Sequence, residues 1–158
     1  MVDKKFSLNI SNPWHLLATG FGSGLSPIIP GTIGSLTSIP LWLLMYFVLP
    51  VWLCWCVILL GFCFGIIICQ RTSDYIKVHD HSSIVWDECI AMWVILMSIS
   101  DVNWQSILIV FMFFRFFDIL KPWPICWFDR KIGGGFGIML DDILAAMLVC
   151  SLSILKYF

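Results

Sequence analysis

A long stretch without charged residues, positions 36–70, sets the first constraint on the fold. Pro40 lies near its start and Pro50 divides it, which predicts two helices at residues 41–49 and 51–70. Only the second reaches the roughly 20 apolar residues that a helix needs to cross a bilayer. With 60% hydrophobic residues and a mean hydropathy of +0.95, the chain is predicted to be embedded in a membrane.

The rest of the chain alternates polar segments with apolar helices. In chain order the predicted elements are a polar segment at residues 71–83, helices at 89–100 and 105–117, a glycine-rich loop at 131–137, and a last apolar helix that follows Asp141 and Asp142 and runs to near Lys156. The pattern predicts an all-α fold: a compact multi-helix bundle, membrane-embedded, with several short or broken helices. We expect residues 1–158 to form a single domain.

Charge and cysteine content narrow the function and the compartment. The net charge of −1 and the lack of a basic patch argue against nucleic-acid binding. The seven cysteines mostly lie in apolar runs and are predicted to be unbridged, as in a reducing compartment. The basic residues of three polar segments would emerge on one face if the helices pair as hairpins, and this face is predicted to be cytoplasmic: Lys4, Lys5, Arg71, Lys77, Lys121, Arg130 and Lys131.

Arg115, Asp118 and Lys121 stand three residues apart within a very apolar stretch. At helical spacing the three side chains share one face, and Pro122 and Pro124 then end the helix. A charge at the centre of a bilayer costs roughly 2.5–3.5 kcal/mol even on lenient scales. Packing does not require such a row of charges, so it predicts a chemical role.

Acidic residues mark the boundaries of several apolar helices. They are Asp87, Glu88, Asp118, Asp129, Asp141 and Asp142. Carboxylate oxygens near a phosphate suit Mg²⁺, so the group predicts a metal site. The alternative is helix capping, because both acidic doublets are expected at helix N-termini, where an anion gains about 0.3–1 kcal/mol.

Two further motifs could contribute to a site. The glycine-rich segment 20–35 suits backbone amides that cradle an anion, although it lacks the lysine of a Walker A loop. Its hydroxyls, on Ser23, Ser26, Thr32 and Ser35, could bind substrate or cap the following helix. His79, beside Asp80, is either a solvated loop residue or a group for proton transfer.

The chain closely resembles the phosphatidylglycerophosphatase A family of small bacterial lipid phosphatases. The resemblance rests on long strings in the same order: SNPWHLL at 11–17, GFGSGLSPIIPGTIGS at 20–35, HDHSSIVWDE at 79–88, FRFFDILKPWPI at 114–125, WFDR at 127–130 and GGFGIMLDDILA at 134–145. It implies a Mg²⁺-dependent, multi-pass enzyme of the bacterial cell inner membrane with its active site facing the cytoplasm. Such an enzyme removes the terminal phosphate of phosphatidylglycerophosphate and yields phosphatidylglycerol.

With that resemblance, roles can be assigned to individual residues. The metal ligands are expected to be Asp87, Glu88, Asp118, Asp141 and Asp142, with Asp129 as an outer ligand. The catalytic group is expected to be Asp118, Lys121, Arg115, Asp87 and His79, and the substrate-binding group Ser23, Ser26, Thr32, Arg130 and Lys121. The nucleophile is left open between a water molecule and a carboxylate, Asp118 or Asp87, that would form an aspartyl-phosphate.

One alternative class is a small helical transporter or channel, which also uses buried charges and broken helices. That class predicts polar residues in the middle of several spans, whereas the acids here are expected at helix ends on one side. The sequence leaves open whether the protein forms a homo-oligomer.

Overall fold

The computed structural model describes residues 8–78 and 80–155, and all regular structure in these ranges is helical. In chain order the elements are α1 Pro13–Ala18, a 3-10 turn at Ser23–Leu25, α2 Pro30–Val48, α3 Val51–Ile76, α4 Trp86–Ser98, α5 Trp104–Leu120, α6 Ile125–Lys131 and α7 Gly134–Leu155. The all-α prediction is confirmed. Within the described ranges the short elements, α1, the 3-10 turn and α6, lie between or beside much longer helices.

Helix α2 begins well before the predicted start at residue 41. Pro30 occupies the first turn, where a proline is tolerated, and Pro40 lies inside the helix. Pro40 removes only one backbone hydrogen bond, and packing of the buried face keeps the helix continuous. The C-terminal part of the predicted loop at 20–35 is therefore helical.

The glycine-rich stretch at 131–137 is mostly the first turn of α7, and not a loop. A Cβ atom on Gly135 would stand only 2.0 Å from the carbonyl oxygen of Ile66, so only glycine allows α7 to approach α3 this closely. The Gly135 N–H also donates to Oε1 of Gln70 at 2.7 Å. These glycines serve helix packing, which periodicity alone did not reveal.

Whereas the predicted helix bounds gave sufficient length only to the helix that begins at residue 51, three helices are long and apolar enough to cross a membrane: Pro30–Val48, Val51–Ile76 and Gly134–Ser153. The difference arises because α2 and α7 both begin earlier than predicted. Many large apolar side chains on these helices are exposed, among them Phe47 at 80% and Leu59 at 64%. Apolar side chains in such positions are suited to contact lipid.

Helix α4 lies at the centre and packs against α2, α3, α5 and α7. Its apolar residues Ala91, Met92 and Ile95 are fully buried. The chain enters α4 through Val85, whose N–H donates to the carbonyl oxygen of Ala18 at 2.8 Å. The first turn of α4 is therefore fixed by α1 and faces the pocket in which the acidic residues meet.

Candidate active site

A cavity of about 380 Å³ lies where the start of α2, the first turn of α4, the end of α5 and the middle of α7 converge. Its lining residues are Ile29, Pro30, Gly31, Thr32, Asp80, Ser82, Ile84, Asp87, Glu88, Arg115, Asp118, Ile119, Lys121, Asp141 and Asp142. We call this cavity the reaction pocket. It brings together residues that are far apart in the sequence.

Asp87, Glu88 and Asp142 form the first acidic cluster, in which one carboxylate oxygen from each residue lies within 4.8 Å of the others. The three side chains are 3–9% exposed. Asp87 Oδ1, Glu88 Oε2 and Asp142 Oδ2 are buried without a hydrogen-bond partner among the described residues. Buried carboxylate oxygens require a compensating cation or donor, so the cluster has the chemistry of a site for a divalent metal.

The pKa values of the two acidic residues in the first turn of α4 also favour a bound cation. Burial, and next the Asp118 carboxylate, raise the pKa of Glu88 to about 8 against the lowering effect of Arg115. Burial, and next the charges of Glu88 and Asp80, raise the pKa of Asp87 well above its usual range. Burial therefore disfavours the ionised form of both carboxylates, and a bound cation would favour it.

Asp80, Asp129 and Asp141 form the second acidic cluster, in which one carboxylate oxygen from each residue also lies within 4.8 Å of the others. The ammonium group of Lys121 contacts all three: Nζ lies 2.8 Å from Asp129 Oδ1 and 3.8 Å from Asp80 Oδ2, and it donates to Oδ2 of Asp141. Burial alone would lower the pKa of Lys121, but the hydrogen bonds to Asp129 and Asp141 raise it above its usual range. A protein cation thus already neutralises part of this cluster.

Arg115 connects the first cluster to α5 and α2. Its Nη1 lies 2.8 Å from Asp118 Oδ2 and 3.5 Å from Glu88 Oε1, and it donates to Ser35 Oγ at 3.4 Å. Gly31 makes this arrangement possible, because a Cβ atom there would stand 2.1 Å from Glu88 Oε1. Arg115 and Asp118 both line the pocket, and so does Lys121, the C-cap residue of α5.

The pocket as a whole is strongly acidic. Six carboxylates and two basic side chains line it, a formal excess of four negative charges when all are ionised. A phosphate group carries negative charge itself and would be repelled by such a surface. The donor set therefore fits a divalent cation that the first cluster would hold and that would offset the negative charge of an anionic ligand.

Helix capping does not explain both acidic doublets. Asp87 and Glu88 do lie in the first turn of α4. Asp141 and Asp142 lie beyond the first turn of α7, which begins at Gly134, so their predicted position at a helix N-terminus is wrong. Their placement inside an apolar helix needs another reason, and the two acidic clusters provide it.

The other predicted site residues are placed differently. Thr32 lines the pocket, whereas Ser23, Ser26 and Arg130 do not. The Ser23 hydroxyl donates to the carbonyl oxygen of Gly20 at 2.9 Å, and the Ser26 hydroxyl donates to the carbonyl oxygen of Ile28 at 3.0 Å. Arg130 is exposed on α6. Their roles in substrate binding stay predictions. His79, predicted to be catalytic, lies outside the described residues.

Asp80 and Gly31 are pocket residues to which the sequence reasoning gave no site role. Asp80 was noted only as a neighbour of His79, and its position between two histidines was the available signal. Gly31 was one glycine among several in segment 20–35. Nothing in the sequence marks it as the one that faces Glu88.

Comparison with known proteins places the chain in context. The sequence model of a family described as phosphatidylglycerophosphatase A matches residues 16–157. The chain is 56% identical over 144 residues to a phosphatidylglycerophosphatase A of Escherichia coli strain K12, which covers 91% of this chain and 83% of the relative. It is 50% identical over 144 residues to a phosphatidylglycerophosphatase A of Haemophilus influenzae, and this match covers 91% of this chain and 87% of the relative. No solved structure matches the chain.

Proposed function

The chain belongs to the phosphatidylglycerophosphatase A family, and on that premise we propose that it hydrolyses the terminal phosphate monoester of phosphatidylglycerophosphate to give phosphatidylglycerol and phosphate in phospholipid biosynthesis. One structural observation carries the proposal. Three buried carboxylates with unpartnered oxygens share a pocket with Arg115 and Lys121. This combination suits a metal-assisted phosphatase.

We propose Mg²⁺ as the cofactor, held by Asp87, Glu88 and Asp142 of the first acidic cluster. When bound, Mg²⁺ would neutralise charge on the phosphoryl oxygens and lower the barrier to attack by water. Asp118 lines the same pocket, and Arg115 Nη1 contacts both Asp118 and Glu88. Asp129 and Asp141 contact Lys121 instead, so we assign them to the second cluster and its ammonium group.

The phosphate would be held by the protein's own positive groups. Gly31 and Thr32 lie in the first turn of α2, where backbone N–H groups have no partner within the helix and the helix dipole favours an anion. Arg115 and Lys121 face the same cavity and can donate charge-assisted hydrogen bonds. In phosphoryl transfer such positioning and neutralisation supply most of the catalysis.

Asp118 is the carboxylate that we assign to proton transfer. Arg115 fixes its orientation through the 2.8 Å contact. In this proposal Asp118 accepts a proton from the attacking water as the new P–O bond forms and the bond to the glycerol oxygen breaks. The Lys121 ammonium, which lines the same pocket, would stabilise charge on the leaving oxygen, which takes up a proton to become the hydroxyl of phosphatidylglycerol, while Asp118 returns its proton to solvent. The alternative, an aspartyl-phosphate on Asp118 or Asp87, uses the same pocket.

The rim of the pocket is apolar, which fits a substrate whose tails remain in the membrane. Ile29 and Ile119 line the cavity yet are 61% and 69% exposed, and neighbouring Ile28 is 71% exposed. We propose that the phosphorylated head group enters the pocket while the glycerol and acyl chains lie along this rim.

We further propose that the protein lies in the bacterial inner membrane with the pocket facing the cytoplasm. The first polar segment, 71–83, contains Arg71 and Lys77, and a second, at 121–131, contains Lys121, Arg130 and Lys131. These basic residues support this orientation. Asp80 of the first segment lies 3.8 Å from Lys121 of the second, so the two segments meet at one end of the bundle.

Phosphate release from phosphatidylglycerophosphate by the purified protein tests the function. We expect release with Mg²⁺, none after EDTA treatment, and loss in Asp118→Asn with the helical content unchanged by circular dichroism. Asp74→Asn is a matched control, because Asp74 is exposed on α3 and outside the pocket. Absence of release from this lipid and from soluble phosphate monoesters would overturn the proposal and favour the transporter alternative.

A further inference from the structure

A second cavity, of about 430 Å³, lies on the other side of α4. Its walls include Trp14 and Leu17 of α1, Val57 and Phe64 of α3, and Trp86 and Trp93 of α4. We call it the α1–α3 groove. It shares no lining residue with the reaction pocket, and consecutive residues of α4, Trp86 and Asp87, face the groove and the pocket respectively.

The groove offers an almost purely apolar surface. The polar atoms of its two α4 tryptophans are already satisfied: Trp86 Nε1 donates to the carbonyl oxygen of Gly61 at 3.0 Å and Trp93 Nε1 to that of Ser38 at 2.9 Å. Because α3 is long and apolar enough to cross a membrane, we expect the groove to lie at the level of lipid acyl chains. The volume falls within the usual range for ligand sites of about 300–1,000 Å³.

A cation stands at the polar end of the groove. The Arg71 guanidinium lies 4.2 Å from the centre of the Trp14 ring, which is itself part of the wall. Arg71 is exposed, one turn beyond Ile68 of the groove, and makes no ion pair with a carboxylate of the described residues. Stacking on Trp14 leaves the edge of the guanidinium available to a phosphate.

We propose that the α1–α3 groove binds an acidic phospholipid as a resident ligand, with one acyl chain in the groove and the phosphate on Arg71. The apolar walls would select an acyl chain, and the Arg71 guanidinium, which has no ion pair among the described residues, would select a negative head group. The bound lipid is separate from the substrate, because the groove and the reaction pocket lie on opposite sides of α4. The proposal therefore does not depend on the phosphatase reaction.

A lipid bound in the groove would stabilise the contact between α1 and α3. It would hold α1 against α3, and α1 is joined to the start of α4 by the Val85–Ala18 hydrogen bond of 2.8 Å. Asp87 and Glu88 follow immediately in α4. Occupation of the groove is therefore expected to stabilise the fold near the first acidic cluster.

Thermal melting in detergent tests the proposal, with dioleoyl phosphatidylglycerol or dioleoyl phosphatidylcholine added as the probe. We expect phosphatidylglycerol to raise Tm by roughly 5 °C more than phosphatidylcholine at saturation. Arg71→Gln should abolish this difference and Arg71→Lys should keep part of it. Lys77→Gln is the matched control, since Lys77 is exposed near the same end of α3 and should leave the difference intact. Leu17→Trp, which fills the groove, should abolish the effect of both lipids.

The Lys121→Met variant separates the groove from the reaction pocket, because Lys121 is one of the positive groups that we assign to anion binding in that pocket. It should keep the full response to phosphatidylglycerol, whereas loss of the response would mean that the lipid binds in the reaction pocket and would overturn the proposal. Equal stabilisation by both lipids, or an unchanged difference in Arg71→Gln, would also overturn it. If Leu17→Trp fails to fold, the Arg71 and Lys77 variants still decide the question.

Discussion

The two acidic clusters use the same ligand type, with oxygens within 4.8 Å of one another in each, yet only the second has a protein cation in contact with all three carboxylates. Lys121 contacts all three carboxylates of the second cluster. The first cluster has only Arg115 at its edge, 3.5 Å from Glu88, and among the described residues three of its buried oxygens have no hydrogen-bond partner, against one, Asp141 Oδ1, in the second cluster. The comparison teaches that a group of carboxylates indicates a metal only after the neighbouring cations are counted. It leads us to expect one metal ion per chain.

The largest expected effect is the loss of a ligand from the first cluster. Asp142→Asn should lower the rate of phosphate release by roughly 10³-fold, because several kcal/mol of charge stabilisation depend on the metal and each 1.36 kcal/mol is about tenfold in rate. Without metal its Tm should equal or exceed that of the unmodified chain, since a buried amide is less costly than a buried carboxylate. Asp74→Asn serves as the control, and a full rate in Asp142→Asn would remove Asp142 from the metal site.

Removing the cation from the second cluster should make the two clusters alike. Lys121→Met is expected to slow phosphate release by about 10–100-fold, from the loss of charge-assisted hydrogen bonds. Because three carboxylates are then left without their ammonium group, Mn²⁺ binding by equilibrium dialysis should rise from one ion to two per chain. Lys131→Met, on the exposed surface of α6, should change neither quantity. A stoichiometry that stays at one would contradict our account of the second cluster.

A smaller effect is expected from a residue that only shapes the first cluster. In Gly31→Ala the new Cβ would stand 2.1 Å from Glu88 Oε1, so the carboxylate must move. Mutation of a residue that positions a metal ligand typically lowers metal affinity or activity by about 10–100-fold. Titration of activity with Mg²⁺ measures this shift. Thr37→Ala, exposed on the same helix, is the control, and an unchanged Mg²⁺ dependence in Gly31→Ala would argue against Glu88 as a ligand.

The smallest effect is expected outside both clusters. Ser26 is exposed, its hydroxyl donates to Ile28, and it does not line the reaction pocket. Ser26→Ala should therefore change the KM for the lipid by no more than about twofold, as for ordinary surface substitutions. An increase in KM well above that would support the prediction from sequence that Ser26 binds substrate.

The sequence allowed much of the pocket to be predicted, because charges are rare in an apolar chain and therefore conspicuous. The sequence predicts Asp87, Glu88 and Asp142 as metal ligands, and in the structure one carboxylate oxygen from each lies within 4.8 Å of the others. Gly31 and Asp80 were not assigned, since their roles depend on contacts with Glu88 and Lys121, which lie far away along the chain. Local pattern carries no information about such partners.

The helix boundaries likewise depend on contacts between distant residues that the local sequence does not reveal. Pro40 and the glycines at 133–135 were interpreted by their local propensities, as a helix start and as a loop. In the structure Pro40 lies inside α2, and Gly134 and Gly135 begin α7, where Gly135 contacts the backbone of α3. Packing between helices outweighed propensity at both places.

The sequence by itself determined the all-α class, the membrane character, the family and the residues that carry charge, since each follows from composition, periodicity or ordered motifs. Only the tertiary structure decided which carboxylates share a cation and which do not. It also revealed that Arg71 stands at the end of an apolar groove. The physical reason is that a charge is stabilised by whatever lies within a few ångströms of it, and in this bundle those neighbours come from different helices.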